Sequence, residues 1–198
     1  KRGFATCRAV FVLHIILSGC ADRFPQFSYE AEQSAVYKHP EPAASTLFTM
    51  VNNRSGTGAH TSLMIKASQR VIFDPAGTLR HVHLPEKKDV IYGISSAVED
   101  LYVRAHARKT HHVVIQKRIV PPEVAEQALQ LALAHGVVNS AECSLRTSQL
   151  LASLLGFEAL PISLFPNRLR SALGGVSEKF LHEYDEINKS KALRAYVP

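Results

Sequence analysis

From Leu47 onward the apolar and polar positions fall into short β-rich runs separated by turn residues, followed by longer runs with helical spacing. Leu47-Phe48-Thr49-Met50-Val51-Asn52 reads as a strand, Arg54 to Gly58 as a flexible loop, and His60 to Ile65 as a second strand. Lys66 to Gln69 is a plausible hairpin connection into Arg70-Val71-Ile72-Phe73-Asp74, which Pro75-Ala76-Gly77 ends. Three short strands in succession predict an antiparallel sheet.

A shorter strand, Asp89 to Tyr92, follows, and Ser96 with Glu99 has capping-box spacing for a helix running toward His106. His111 to Gln116 returns as a β-branched strand. Pro121-Pro122-Glu123 then opens a helix with Val124, Leu129, Leu131 and Leu133 among its apolar positions and Gly136 at its close. A further helix is expected after Asn139 or Ser140, either of which can cap it, with Cys143 in its first turn. Cys143, Thr147, Leu150, Leu151 and Leu154 share one face of that helix, so the sulfur should point at the sheet. Phe165 to Leu169 reads as a break, and Val176 to Leu193 as helix-like, with Phe180, Tyr184 and Ile187 at suggestive spacing and an acidic solvated face at Glu183, Asp185 and Glu186. The fold class is α+β, helices packed on a mostly antiparallel sheet.

The first residues follow a different pattern. Lys1, Arg2 and Arg8 precede an apolar stretch from Ala9 to Leu17 broken by His14, and Leu17-Ser18-Gly19-Cys20 closes it. This resembles a bacterial lipoprotein signal with its lipobox, which implies cleavage before Cys20 and lipidation of that cysteine. The expected organisation is a signal over 1–19, a tether over 20–45 punctuated by Pro25, Pro40 and Pro42, a domain over 46–160, and a C-terminal extension over 161–198. Ala21 after Cys20 resembles lipoproteins sent to the outer membrane, which places the chain on the periplasmic face of the envelope.

Charge adds little. The formal net charge of +6 includes the three cations of the signal, so the remainder carries +3 and gives no reason to expect a nucleic-acid partner. The cysteines matter more. Of three, Cys7 would leave with the signal and Cys20 would carry acyl chains, so Cys143 has no disulfide partner. It is either an inert buried thiol or a reactive one, and its place at a helix start favours a thiolate.

Among ten histidines, His60 opens a strand directly after a glycine-rich loop, where a ring would stand at the edge of a cleft. Asp74 shares the parity of Ile72, so a hairpin could bring it to the same face as His60; it could equally be a turn-forming aspartate. His81 and His83, two apart, and His106, His111 and His112 have weak metal-ligand spacing, and no cysteine or carboxylate completes a site. Neither a metal nor another cofactor is expected.

Gly58-Ala59-His60-Thr61-Ser62-Leu63-Met64-Ile65, the strand Val71 to Asp74, and Cys143 with Ser148, Leu150 and Leu151 together resemble the circularly permuted branch of the NlpC-type papain-like superfamily, of the YaeF/YiiX type. More distantly they resemble lecithin retinol acyltransferase-like enzymes. The resemblance implies a permuted papain-like fold with Cys143 as nucleophile, His60 as base and, less firmly transferred, Asp74 as orienter. It implies an amidase or peptidase working through an acyl-enzyme, with peptidoglycan peptides as the expected substrate. The competing expectations are a lipid acyltransferase or thioesterase, and a non-catalytic envelope lipoprotein that binds a partner or cell-wall component on the same fold.

Overall fold

The computed structural model describes residues 35–77, 79 and 84–174. The lipobox with Cys20, the pair His81 and His83, and the expected helix over 176–193 lie outside them. Strands β1 (Ala44–Asn52), β2 (Gly58–Lys66), β3 (Arg70–Phe73), β4 (Glu86–Lys87), β5 (Val90–Ile91) and β6 (His111–Ile119) form one antiparallel sheet in the order β4-β5-β3-β2-β1-β6. Four helices pack on it: α1 (Ser96–His106), α2 (Pro122–Ala134), α3 (Cys143–Ala152) and α4 (Pro166–Leu173). The chain is therefore α+β.

Strand alternation divides the core in two. Odd residues of β1 to β3, such as Leu47, Leu63, Ile65, Val71 and Phe73, pack under α2, α3 and α4, while Phe48, Met64 and Ile72 face α1 through Leu101 and Tyr102. On α2 the burial is done by Val124, Leu129 and three alanines, Ala125, Ala128 and Ala132, whose small side chains let the helix lie close to the sheet. Leu131, expected among the apolar positions of α2, is 37% exposed, because it projects from the opposite side of the helix.

Three boundaries differ from the sequence expectation. Ser95 caps α1, its hydroxyl accepting from the Val98 N–H at 3.3 Å; Glu99 does not close a capping box because its carboxylate pairs with buried Arg70. Phe165 to Leu169 is no break: Pro166 occupies the first helical position of α4, where its missing N–H and fixed φ suit a helix start. Gln116 on β6 then donates to the carbonyls of Arg170 at 3.1 Å and Gly174 at 3.2 Å, and Arg118 donates to that of Leu173 at 2.6 Å. These bonds satisfy the orphan carbonyls at the end of α4 and pin it to the sheet. The stretch expected as tether meets the domain before residue 45: Arg70 N–H donates to Tyr37 O at 2.8 Å, Lys66 Nζ to Pro42 O at 2.9 Å, and Ala44 opens β1.

Candidate active site

The site forms where the sheet stops being continuous. β2 pairs with β3 only from Leu63 to Lys66, so its first residues, Gly58 to Ser62, extend past the end of β3. Phe73 is the last residue of β3, and the chain turns at once through Asp74 to Gly77, whose N–H donates to Asp74 O at 2.8 Å. Continuing the Leu63–Phe73 register places Asp74 opposite Ser62, one diagonal step from His60 on the same face. The carboxylate spans that step: His60 Nε2 lies 2.7 Å from Asp74 Oδ1. Gly77 makes room for this, since a Cβ there would stand 2.0 Å from Asp74 Oδ2.

Cys143 arrives from the other side of the sheet, at the start of α3. The expected caps, Asn139 and Ser140, do not cap it; both belong to a turn in which Glu142 N–H donates to Asn139 O at 3.3 Å and Ala141 adopts φ 70°. Glu142 is the N-cap residue, with no side-chain cap bond, and Cys143 is the first helical residue. The Glu142 carboxylate turns to Arg146 instead, accepting from its Nη2 at 2.6 Å and its Nε at 2.9 Å. The first-turn N–H groups are thus left uncapped by side chains, and a carboxylate that would repel a thiolate is neutralised. Thr147, Leu150 and Leu151 are buried along the α3 face, as their spacing predicts, and Leu154, just past the end of the helix, is buried as well.

The electrostatics of the three groups interlock. Burial raises the Cys143 thiol, but the hydrogen bond and charge of His60, with backbone N–H groups of Thr61 and Ser144, more than offset this and hold it below 9.0. For His60, burial lowers the imidazole, while hydrogen bonds and charges from Asp74 and Cys143 raise it to about 10. Burial also pushes the Asp74 carboxyl up, and the bond and charge of His60, helped by His106 and the Tyr102 hydroxyl, bring it below its ordinary value of 3.8. All three shifts favour the charged thiolate–imidazolium pair over the neutral one, with the ring held from behind by a carboxylate. Since Nε2 is committed to Asp74, Nδ1 is the nitrogen left for the sulfur.

Residues to which the sequence reading gave no part in this site complete it. Tyr102 on α1 is fully buried beside Asp74, and its hydroxyl pairs with Ser62 Oγ at 2.7 Å. His106, one turn on, stacks on His60 with ring centroids 6.3 Å apart and planes at 16°. Asp89, just before β5 with φ 60°, accepts from Ala76 N–H at 3.1 Å and Val138 N–H at 2.8 Å through Oδ2. Its own carbonyl accepts from Asp74 N–H at 2.8 Å. One buried residue therefore ties the Asp74 turn to the segment leading into Cys143. The helical spacing of Tyr102 and His106 was a legible signal; nothing in the sequence marked Asp89.

Cys143 and His60 open into a cleft of about 500 Å³, which Met50, Gly77, Leu79, His106, Arg108 and His111 also line. The described histidines whose spacing weakly suggested metal ligation each make a bond of their own: His106 Nδ1 with Tyr102 O at 2.8 Å, His111 Nδ1 with Thr110 Oγ1 at 2.9 Å, and His112 Nδ1 with Asn53 Oδ1 at 2.7 Å. Among the described residues no group of three histidines, cysteines or carboxylates could hold a metal ion.

Comparison with known proteins returns nothing: no protein-family model, no curated protein and no solved structure matches the chain.

Proposed function

We propose that this chain is a cysteine hydrolase, an amidase or peptidase, on a circularly permuted papain-like fold of the NlpC type. The observation that carries the reading is the arrangement of Cys143 at an uncapped helix start, facing an imidazole whose far nitrogen is 2.7 Å from a buried carboxylate. Surface histidines and inert core thiols have no need of this combination. The order His60, Asp74, Cys143 along the chain differs from an ordinary papain layout, in which the cysteine comes first, and agrees with a circularly permuted one.

The thiolate of Cys143 attacks the carbonyl carbon of an amide or ester, and the oxyanion that develops is held by N–H groups at the start of α3, that of Cys143 included. The His60 imidazolium gives its proton to the departing amine or alcohol as the carbonyl re-forms, leaving an acyl-thioester. Neutral His60 then takes a proton from water, which attacks the thioester, and the acid product leaves with the ion pair restored. Asp74 keeps the ring oriented and offsets its charge through both halves. The lipobox resemblance supports attachment of Cys20 to a membrane on the periplasmic side, where peptidoglycan peptides are the substrates within reach. Among the described residues no helix is long and apolar enough to cross a membrane.

The test is incubation of the purified protein with peptidoglycan fragments and with simple acyl amides and esters, wild type against Cys143→Ala. Hydrolysis by wild type and none by the variant is expected. Equal rates for the two proteins, or no hydrolysis of any of these substrates, would remove the proposal.

A further inference from the structure

The Asp74 carboxylate is satisfied on one oxygen only. Oδ1 holds the His60 ring at 2.7 Å, whereas Oδ2 is buried with no hydrogen-bond partner. An orphaned oxygen on a buried charge is costly, so a donor is expected close by. Ser62 stands across the strand pair from Asp74, on the face that α1 covers, and its buried hydroxyl lies 2.7 Å from that of Tyr102. Cross-strand neighbours are about 5 Å apart at Cβ, which brings the Tyr102 hydroxyl over the carboxylate as well as over Ser62. Phe48 and His106 fix the Tyr102 ring, with centroids 5.5 Å and 4.5 Å away. Two hydroxyls that share one hydrogen bond have a second proton still to place, and Asp74 Oδ2 is the acceptor that lacks one. Burial and then the charge of Asp74 lift the Tyr102 phenol well above its ordinary 10.0, so it keeps its proton.

We propose that Tyr102 is a positioning residue for the reaction: Ser62 donates to the Tyr102 hydroxyl, and Tyr102 donates to the free oxygen of Asp74, locking the carboxylate against His60. The proposal rests on the hydrolase reading and extends its line of groups from Cys143, His60 and Asp74 to Tyr102 and Ser62. A carboxylate held by one oxygen can turn about its Cβ–Cγ bond. A donor on each oxygen fixes its plane, and with it the imidazole bound to Oδ1. The Ser62 hydroxyl polarises the phenol behind it, which strengthens the bond to the charge at the end of the chain. Tyr102 acts through Asp74 and takes no proton from substrate.

The test follows the Asp74 carboxyl carbon by NMR against pH in the purified protein. The other titratable groups around it, His60 on β2, His106 on α1, Glu86 on β4 and Asp89 before β5, are the same in every variant compared. Tyr102→Phe should raise the Asp74 titration, because a donor to the charged form is lost. Ser62→Ala should raise it by less, since the phenol remains. An unmoved titration in Tyr102→Phe, or a larger rise in Ser62→Ala, overturns the proposal. A second readout works at neutral pH, where acid unfolding cannot interfere: alkylation of Cys143 by iodoacetamide in Tyr102→Phe, Asp74→Asn and the double variant. Tyr102→Phe alone should slow it by about 10-fold, the size of a hydrogen bond to a charged group, and by much less when added to Asp74→Asn. Equal slowing in both backgrounds would mean that Tyr102 only supports the packing of α1, and would overturn the proposal too. Failure of the hydrolase reading shows separately, as wild-type alkylation no faster than that of a free cysteine, and leaves the Asp74 titrations to decide the hydrogen bond.

Discussion

At the scale of single residues, the site is a chain of three groups whose protonation states depend on one another. Asp74 is the member whose role is easiest to isolate, because it touches the ring and not the sulfur. Asp74→Asn keeps the shape and removes the charge. His60 should then fall from about 10 toward its ordinary 6.5, since burial, which lowers it, is left opposed by Cys143 alone. Turnover should drop by about 10²-fold, as expected for a misdirected general base, and the alkaline limb of the pH–rate profile should move to lower pH. Imidazole resonances followed by NMR against pH check the first part; an unmoved His60 titration would show that the carboxylate does not set it. The two limbs of the profile belong to the Cys143–His60 pair jointly, as for any coupled dyad. His60, Asp74 and Cys143 were legible in the sequence because each has a local signature: a loop-to-strand edge, a parity and a helix start. Tyr102 has only its helical spacing with His106, and Gly77 nothing, to tie it to Asp74. Their relation to Asp74 exists only once α1 is laid against the sheet and the chain has turned after β3.

At the scale of elements, the site depends on a turn and a helix start that share no hydrogen-bonded ladder. Asp89 connects them, its carboxylate taking N–H groups from Ala76 and Val138. Asp89→Ala leaves both donors unsatisfied in a buried place, and should cost about 3 kcal/mol, the worth of hydrogen bonds to a charged acceptor. For a domain of this size that is a fall in Tm of roughly 6–12 °C. Activity should fall further than the unfolded fraction explains, because Asp74 and Cys143 lose their common anchor. Thermal melts and kcat measured well below Tm check this, and an unaltered Tm would show the clamp to be idle. Long patterned elements were predictable: β1, β2, β6, α2 and α3 follow from strand parity or helical spacing with breakers at their ends. Short or context-bound features were not. β4 is two residues long and exists by pairing with β5, the short strand expected over Asp89 to Tyr92. The cap of α1 moved to Ser95 because Glu99 was claimed by Arg70, and α4 was hidden by a proline that starts a helix as readily as it ends one.

At the scale of the whole molecule, burying these charges makes stability depend on pH, and the signs separate the groups. Asp74 has a folded value below 3.8, so its contribution is present above 3.8 and is lost as pH falls through the depressed value. His60, raised to about 10, contributes fully below 6.5 and loses that contribution as pH rises toward 10. Cys143, depressed from 9.0, runs the other way: its contribution is present above 9.0 and is lost as pH falls. The latter two oppose each other between 6.5 and 9.0, so the clean signal lies in acid. The stability difference between wild type and Asp74→Asn, from urea unfolding, should narrow as pH drops below 3.8; a constant difference would mean the carboxylate is not charged in the folded protein. The antiparallel sheet and the α+β class could be read from the sequence. Which helices share a face, and the gap beside the first half of β2 that lets α3 reach His60, are properties of the assembled sheet.

The central claim is that Cys143 is a thiolate held by His60 in the resting protein. Its alkylation rate by iodoacetamide, measured from pH 4 to pH 10, tests this most directly. The account predicts an inflection below the ordinary cysteine value of 9.0 and, in neutral and acid solution, a rate above that of a free thiol, with the advantage lost in His60→Ala. A single inflection near 9.0, unchanged by His60→Ala, would contradict it.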